Sequence, residues 1–244
     1  MKKTVVITGA LGGIGQAICK TFKEDGYQVL GIDVKAIGNI PFCDYSFDFD
    51  LSRLSKNEDY RSDKLNILNK FGDDLHVLIN NAAVQILNNL KDIKITEWNE
   101  TLDVNLTAPM LLSQWALPYI SKNDGSIINI SSIHQTLTKP KFTAYATSKS
   151  ALVGLTKAMA VDLNGEIRVN SISPAAIETD MLRAGFNNDE SALDVLKKLH
   201  PVQRIGYPYE VAKLALFLAS DEAKFINGAN LQLDGGISSV LHDL

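Results

Sequence analysis

Short apolar runs alternate with amphipathic stretches along the whole chain. Near-continuous apolar runs are typical of strands in a parallel sheet that is covered on both faces. Five such runs are Val5–Ile7, Gln28–Ile32, Val77–Ile79, Ser126–Ile130 and Ile167–Ile172. Helical periodicity is found between them, near residues 13–25, 59–71, 96–121, 145–163 and 208–220. Strands that alternate with helices predict βαβ units and a doubly wound α/β fold.

Two segments depart from this alternation. Residues 33–58 are the least regular, and we expect a short third strand there near Ser46 to Phe49. Residues 180–207 are rich in glycine, asparagine and proline, with a short helix predicted at 190–199. This segment fits a plain surface loop and also a mobile substrate-binding insertion over a site. No linker divides the chain, so one domain over residues 1–244 is expected.

Composition narrows the function classes. The chain has 244 residues, 45% hydrophobic and 21% charged, which is ordinary for a globular protein with a large core. The net charge of −4 and the lack of a basic run argue against nucleic acid as a partner. No segment approaches the length of a membrane span, and the apolar start is too short for a signal peptide. No metal site is predicted.

The cysteine content is low. Cys19 and Cys43 are the two cysteines, so no disulfide framework is expected and both are interpreted as inert packing residues. A reducing cytoplasm is the simplest location for such a chain.

A glycine-rich segment follows the first predicted strand and opens the first predicted helix. Its sequence is Thr8-Gly9-Ala10-Leu11-Gly12-Gly13-Ile14-Gly15. Glycines allow a sharp turn close to a pyrophosphate, and the helix N-terminus offers free N–H groups and a positive dipole to it. A tight strand-to-helix turn without a ligand is the alternative. The position after a strand and before a helix favours a dinucleotide site.

Two acidic residues follow the next strands. Asp33 lies about 18 residues beyond Gly15, where an acid can bind the ribose hydroxyls of NAD and repel the extra phosphate of NADP. NAD(H) is therefore favoured over NADP(H), although Lys35 keeps NADP from being excluded. Asp33 also fits a strand-end cap. Asp50 and the adjoining Leu51 could meet the adenine, and Asp50 equally fits an N-cap.

The residues with the clearest chemistry are Tyr145 and Lys149, with Ser132 thirteen residues before the tyrosine. Residues four apart on a helix share one face, so an ammonium is placed beside a phenol. A nearby positive charge favours the phenolate, so we expect Lys149 to lower the pKa of Tyr145 toward the working range of a proton-transfer group. Singly, these residues also fit a core tyrosine, a solvated lysine and a strand-end cap.

Taken together, these motifs resemble the short-chain dehydrogenase/reductase family in its single-domain form. The matching positions are Thr8-Gly9 with Gly13 and Gly15, Asn80-Asn81-Ala82, Asn105, Ser132, Tyr145 with Lys149, Pro174 with Ile177 and Thr179, and Leu233-Asp234-Gly235-Gly236. The resemblance implies a Rossmann-type sheet of about seven strands in the order 3-2-1-4-5-6-7, with helices on both faces. It also implies an oxidoreductase that moves a hydride between NAD(P) and an alcohol or carbonyl compound.

The resemblance also implies roles for single residues. Tyr145 would be the general acid/base, Lys149 would lower its pKa and hold the nicotinamide ribose, and Ser132 would orient the substrate oxygen. Asn105 would hold a water that links Lys149 to solvent. The remaining cofactor contacts implied are Thr8, Gly9, Gly12, Gly13, Ile14, Gly15, Asn80, Asn81, Ala82, Pro174, Ile177 and Thr179. A dinucleotide-binding regulatory protein without turnover is the alternative function.

The substrate is less well determined by the sequence. Candidate pocket residues are Gln85, His134, Gln135, Phe142, Met181 and Phe186. His134 could face a hydroxylated or anionic substrate, and it also fits an exposed loop imidazole. A sugar, a polyol, a hydroxy acid, a steroid and an acyl thioester all remain open. Lack of a basic patch argues mildly against a 3-oxoacyl carrier-protein reductase.

Two further expectations concern assembly and departures from the family pattern. The helices over Trp98 to Ile120 and Tyr145 to Leu163 are apolar enough to pack between subunits, so a homotetramer is predicted. Ala83 and Ala175 stand where the family commonly has glycine. A methyl group there costs little if φ stays negative, so we expect a local adjustment without loss of activity.

Overall fold

A seven-stranded parallel sheet forms the centre of the protein, with the strand order β3-β2-β1-β4-β5-β6-β7. The computed structural model describes residues 2–36, 38–71, 75–122, 124–187 and 189–241. The strands are β1 Thr4–Thr8, β2 Gln28–Asp33, β3 Tyr45–Asp48, β4 Leu75–Asn80, β5 Gly125–Ile130, β6 Ile167–Pro174 and β7 Asn230–Leu233. The predicted fold class and strand order are confirmed.

Helices cover both faces of this sheet. Within the described ranges they are α1 Gly13–Glu24, α2 Glu58–Asn69, α3 Ile95–Leu102, α4 Ala108–Ala116, α5 Thr143–Asp162, α6 Asp180–Gly185, α7 Glu190–Leu199 and α8 Pro208–Ala219. The short helix predicted at 190–199 is confirmed, whereas α6 was not predicted. No helix within those ranges combines the length and apolar character that crossing a bilayer requires.

The helix predicted over 96–121 is present as α3 and α4 joined by a π-turn, and it ends earlier than predicted, at Ala116. After α3, the turn Asp103–Thr107 is π-helical, and α4 begins only at Ala108. A π-turn adds one residue to the helical circuit, and such turns are frequent at functional sites. This one carries the fully buried Asn105, whose amide bonds to the backbone of Val84 instead of lying along a regular helix surface.

Apolar side chains fill the space on each face of the sheet. On one face, α1 and α8 pack against the strands through residues such as Ile18, Phe22 and Leu218, which are all fully buried. On the other face, α4 and α5 contribute Leu112 and Ala160. Because both faces are covered, the strands are apolar along their length, which explains the runs found in the sequence.

The two cysteines lie together beside α1. Both are free thiols, with their Sγ atoms 3.5 Å apart. Cys19 packs inside the core formed by α1, and Cys43 packs against the same core from the segment before β3.

The site is positioned by a reversal in strand order. The chain moves outward from β1 to β3, then returns to place β4 on the other side of β1. The loops that follow β1 and β4 therefore diverge and leave a crevice at the carboxyl ends of the strands. Open α/β sheets bind their ligands at such a point.

Candidate active site

A cavity of about 1000 Å³ lies at the carboxyl ends of the strands. Its walls come from the segments that follow β1 to β6. The predicted site residues that line it are Gly9, Gly12, Gly13, Ile14, Gly15, Asp33, Asp50, Leu51, Asn81, Ala82, Gln85, Ser132, His134, Phe142, Tyr145, Lys149, Pro174, Ile177, Thr179, Met181 and Phe186. One cavity thus joins the glycine-rich turn to the tyrosine and lysine of α5.

Thr8 and Asn80 are not part of the cavity lining, and their roles as cofactor contacts stay predictions. The Thr8 hydroxyl is buried and accepts hydrogen bonds from the N–H groups of Asn81 and Ala82, each at 3.0 Å. Asn80 donates to Asn129 Oδ1 at 2.8 Å and so joins β4 to β5. Both residues fix the ends of neighbouring strands and thereby position the cavity wall.

Asn105 also lies outside the cavity wall. Its Oδ1 accepts from the Val84 N–H at 2.8 Å, and its Nδ2 donates to the Val84 carbonyl and to Ser148 Oγ, both at 3.0 Å. An asparagine side chain has two N–H donors, and both are used here. These hydrogen bonds tie the loop after β4 to helix α5 and so give the Asn105 side chain a positioning role, while its contact with a water stays a prediction.

The glycine-rich turn has the geometry of an anion cradle. A Cβ added to Gly15 would lie 2.0 Å from the Gly9 carbonyl oxygen, and Gly9 itself has φ +65°. Helix α1 follows with Gly12 as its N-cap and without a side-chain cap. The N–H groups of its first turn are therefore free for a ligand, and the helix dipole favours a negative one. These residues fit the pyrophosphate of a dinucleotide.

Asp33 at the end of β2 and Asp50 after β3 each cap a local turn and also line the cavity. Asp33 accepts from the N–H groups of Leu11 at 3.0 Å and Lys35 at 3.1 Å, so it caps the end of β2. It also lines the cavity, and a carboxylate has further lone pairs for ribose hydroxyls. Asp50 caps the short turn after β3 by accepting from the Ser52 N–H at 3.0 Å, and it too lines the cavity.

Helix α5 brings the proposed catalytic groups together. Tyr145 and Lys149 are both buried, and Lys149 Nζ lies 5.7 Å from the centroid of the Tyr145 ring. The ammonium donates to the Ile130 carbonyl at 2.7 Å, at the end of β5. The Ser132 hydroxyl, two residues further on, lies close enough to the Tyr145 phenol to lower its pKa. Three groups able to share one proton thus meet at one end of the cavity.

Burial dominates the electrostatics of this group and corrects one prediction. It raises the pKa of Tyr145, while the hydrogen bond with Ser132 lowers it to a smaller extent. Burial also lowers the pKa of Lys149 to about 7. The net shift of the Tyr145 pKa among the protein's own groups is therefore upward, opposite to the predicted direction, because desolvation disfavours the phenolate; stabilisation of the phenolate by a charged Lys149 stays a prediction.

The pKa of Lys149 predicts a pH-dependent stability difference for Lys149→Met. The lysine titrates near 10.5 when unfolded and near 7 when folded, so between these values the unfolded chain holds the extra proton. Wild-type stability then rises with pH across this window, and the variant lacks that slope. We expect the stability advantage of the variant over wild type to grow as pH falls from about 10.5 to about 7, then level off. Urea unfolding at pH 6, 7.5 and 9 measures it, and parallel pH profiles would contradict it.

An aromatic wall lies beside Tyr145 in the same cavity. His134 stacks on Phe142 with ring centroids 4.2 Å apart, and both rings meet Tyr145 edge-on. Burial, aided by the positive charge of Lys139, lowers the pKa of His134 to about 4, so this imidazole is neutral at physiological pH. His134 is therefore a packed, neutral part of the wall and not an exposed loop imidazole.

The two departures from the family pattern are accommodated. A methyl group is expected to fit at these two positions if φ is not positive. Neither Ala83 nor Ala175 is among the described residues with positive φ. Ala175 donates its N–H to the Leu233 carbonyl at 3.1 Å and so joins the end of β6 to the end of β7.

Two basic residues in the cavity wall, Lys139 and His200, were not predicted from the sequence. Lys139 lies in the loop between Ser132 and Tyr145, and this position between two candidate catalytic residues could have marked it. His200 follows α7, is almost fully buried and donates from Nδ1 to the Leu196 carbonyl at 2.9 Å. Its only sequence signal is a lone histidine before a proline, which does not point to a site.

Comparisons with known proteins agree with this geometry. A family model described as enoyl-(acyl carrier protein) reductase matches residues 9–238. The NAD-dependent glycerol dehydrogenase of Listeria innocua is 33% identical over 242 residues, which cover 96% of this chain and 93% of that protein.

Solved structures are similar over nearly the whole chain. The ligand-free aldohexose dehydrogenase of Thermoplasma acidophilum has a TM-score of 0.90 at 34% identity, covering 100% of this chain and 96% of its own. A 4-hydroxyisoleucine dehydrogenase complexed with NADH has a TM-score of 0.86 at 30% identity, covering 98% and 100%. ElxO with NADP bound has a TM-score of 0.85 at 32% identity, covering 98% and 100%. The similar structures thus include complexes of both cofactors.

Proposed function

Since the chain belongs to the short-chain dehydrogenase/reductase family and is an oxidoreductase acting on CH–OH groups, we propose that this cavity holds NAD(H) beside a secondary alcohol or ketone. The observation that carries the proposal is the meeting of Ser132, Tyr145 and Lys149 in the cavity that also contains the uncapped N-terminus of α1. The nicotinamide supplies the carbon that accepts or donates the hydride.

The protein's own groups handle the proton. In the oxidative direction, the Tyr145 phenolate takes the hydroxyl proton of the substrate, and in the reductive direction the phenol returns it to the oxygen. Ser132 orients that oxygen through its hydroxyl, which lies beside the Tyr145 phenol and lowers its pKa. Because the pKa of Tyr145 is raised by burial, oxidation is expected to become faster as pH rises.

Lys149 supports this step from the interior. Its ammonium is anchored to the Ile130 carbonyl and lies one helical turn from Tyr145. We assign it two roles, binding the nicotinamide ribose hydroxyls and stabilising the phenolate when charged. A fixed charge in a buried site acts more strongly than the same charge in water, so a small positional change would alter the rate.

For the cofactor we propose a preference for NAD(H). Asp33 lines the cavity at the end of β2, and a carboxylate there accepts ribose hydroxyls and repels a phosphate. Gly12 offers no side chain to bind that phosphate, and the exposed Val34 offers no charge. The similarity to an NAD-dependent glycerol dehydrogenase supports the same preference.

Asp33→Ala is expected to improve the use of NADP relative to NAD by about tenfold or more, because it removes one charge repulsion and the ribose acceptor. The ratio of kcat/KM values for the two cofactors measures this change. Asp33→Asn keeps a hydrogen-bond acceptor for the cap and tests the charge alone, and Asp162→Ala is the control at a distant exposed acid. An unchanged ratio in both Asp33 variants would mean that Asp33 does not face the ribose.

A cofactor-fluorescence screen tests the function directly. Polyols, sugars, hydroxy acids and the corresponding ketones are offered with NAD, NADH, NADP and NADPH. Turnover of a secondary alcohol or ketone is the expected result. Tight binding of NADH without hydride transfer across the whole panel would favour a regulatory dinucleotide-binding protein instead.

We propose three further features of the protein. The chain acts as one domain, with residues 180–207 forming its substrate-binding segment; Met181 and Phe186 of this segment line the cavity. The two free thiols support a reducing, cytoplasmic location. The exposed apolar side chains of Met110 on α4 and Val161 on α5 support a homotetramer built on these helices, and gel filtration at micromolar concentration distinguishes it from a monomer.

A further inference from the structure

Lys139 is a cation held at the mouth of the catalytic cavity. Its Nζ lies 4.8 Å from the ring centroid of Phe142 and 5.5 Å from that of Phe186. Phe142 precedes α5, and Phe186 follows α6, so the lysine lies between the catalytic helix and the proposed substrate-binding segment. All three residues line the cavity. Cation–π contacts on two rings restrict where this exposed ammonium can go.

The charge of Lys139 has no acidic counterpart. Among the residues that the structure describes, no ion pair includes Lys139. Glu100 and Asp180 also line the cavity, yet neither pairs with it. The charge is nonetheless felt inside the site, because it contributes to the lowered pKa of His134. An unpaired positive charge therefore faces the end of the cavity where the substrate would lie.

Lys139 and Lys149 are the two lysines in the described cavity lining, which contains no arginine. Lys149 is buried beside Tyr145, where the reacting oxygen and the cofactor ribose are expected. Lys139 is therefore available to bind a part of the substrate away from the reacting carbon. The Phe142 ring contacts both Lys139 and Tyr145, so both ends of one substrate can reach the lysine and the tyrosine.

We propose that the substrate of this enzyme is a hydroxy acid or keto acid whose carboxylate binds Lys139 while its reacting oxygen binds Ser132 and Tyr145. This inference rests on the proposed hydride-transfer function and names its substrate class. The Lys139 ammonium lies against two rings, so it offers a ligand one positive charge and few N–H donors. A carboxylate, with its single negative charge, matches such a group. A phosphate dianion is usually held by several donors or by an arginine fork.

The test compares paired substrates in charge-matched variants. A panel of 2-, 3- and 4-hydroxy acids is assayed beside the methyl ester of each acid and beside neutral polyols. Lys139→Gln removes the charge, Lys139→Arg keeps it, and Lys213→Gln removes an exposed charge on α8 as a control. We expect wild type to prefer an acid over its ester, and Lys139→Gln to raise KM for that acid about ten- to a hundredfold with kcat nearly unchanged.

The remaining readouts separate substrate binding from a structural role. Lys139→Arg should restore the low KM, and raising the salt concentration should raise KM for the acid more in wild type than in Lys139→Gln. If Lys139→Gln raised KM equally for the acid and for its ester, the lysine would only pack against the two rings, and the proposal would be overturned. Turnover of neutral polyols with no preference for acids overturns it too, while leaving the hydride-transfer function intact. Absence of all turnover defeats both.

Discussion

Tyr145→Phe should lower kcat about 10²- to 10⁴-fold, while NADH binds as tightly as to wild type. The variant keeps the ring that packs against His134 and Phe142 and removes only the hydroxyl. Positioned acid–base groups contribute rate factors of this size. Steady-state kinetics on a substrate found by the screen measures the loss, and NADH fluorescence titration measures binding.

The matched control is Tyr27→Phe. Tyr27 is also buried and packs edge-on against Phe22, outside the cavity lining. This control should leave kcat within about twofold of wild type. If Tyr145→Phe turned over substrate at the wild-type rate, Tyr145 would not be the acid/base, and the proposed proton route would be wrong.

Gly15→Ala should weaken cofactor binding by more than about tenfold and lower the free energy of unfolding by about 1–3 kcal/mol. The added Cβ would lie 2.0 Å from the Gly9 carbonyl oxygen and 2.9 Å from the Cα of Ala10. Both neighbours are backbone atoms, so the turn and the first turn of α1 must separate. The N–H groups that face the pyrophosphate then lose their alignment. NADH titration and urea unfolding measure the two effects.

Gly154→Ala is the control for this substitution. Gly154 lies within α5, and a Cβ added there meets nothing within 4 Å. Alanine is a better helix former than glycine, so this variant should be as stable as wild type or up to about 1 kcal/mol more stable. A Gly15→Ala protein that binds NADH like the Gly154→Ala control would show that the turn does not form the cofactor cradle.

The sequence predicts the sheet well because a strand that is buried on both faces favours apolar residues at successive positions. Strand segments such as Val5–Ile7 and Val77–Ile79 are apolar throughout, and the helices between the strands keep a clear period. The glycine-rich turn before α1 is also predictable from the sequence, since the close approach of its backbone segments leaves no room for larger residues. The π-turn at Asp103–Thr107 could not be predicted from the local sequence. Its Asn105 side chain makes hydrogen bonds to Val84 and Ser148, which are distant in sequence.

The candidate site divides in the same way. The spacing alone predicts that Tyr145 and Lys149 share one helix face, but it does not predict how deeply both side chains are buried. Depth of burial decides the direction of their pKa shifts, and desolvation is a property of the assembled fold. The position of Lys139 between two rings is likewise visible only once the loop before α5 meets the end of α6.

Direct hydride transfer in the proposed site is the central claim. The most direct measurement offers the enzyme a secondary alcohol deuterated at the carbinol carbon, together with NAD, and records the mass of the reduced cofactor. The account predicts NADH that carries one deuterium from the alcohol in wild type, and greatly slowed transfer in Tyr145→Phe. Reduced cofactor without deuterium, or equal transfer rates in the two proteins, would contradict it.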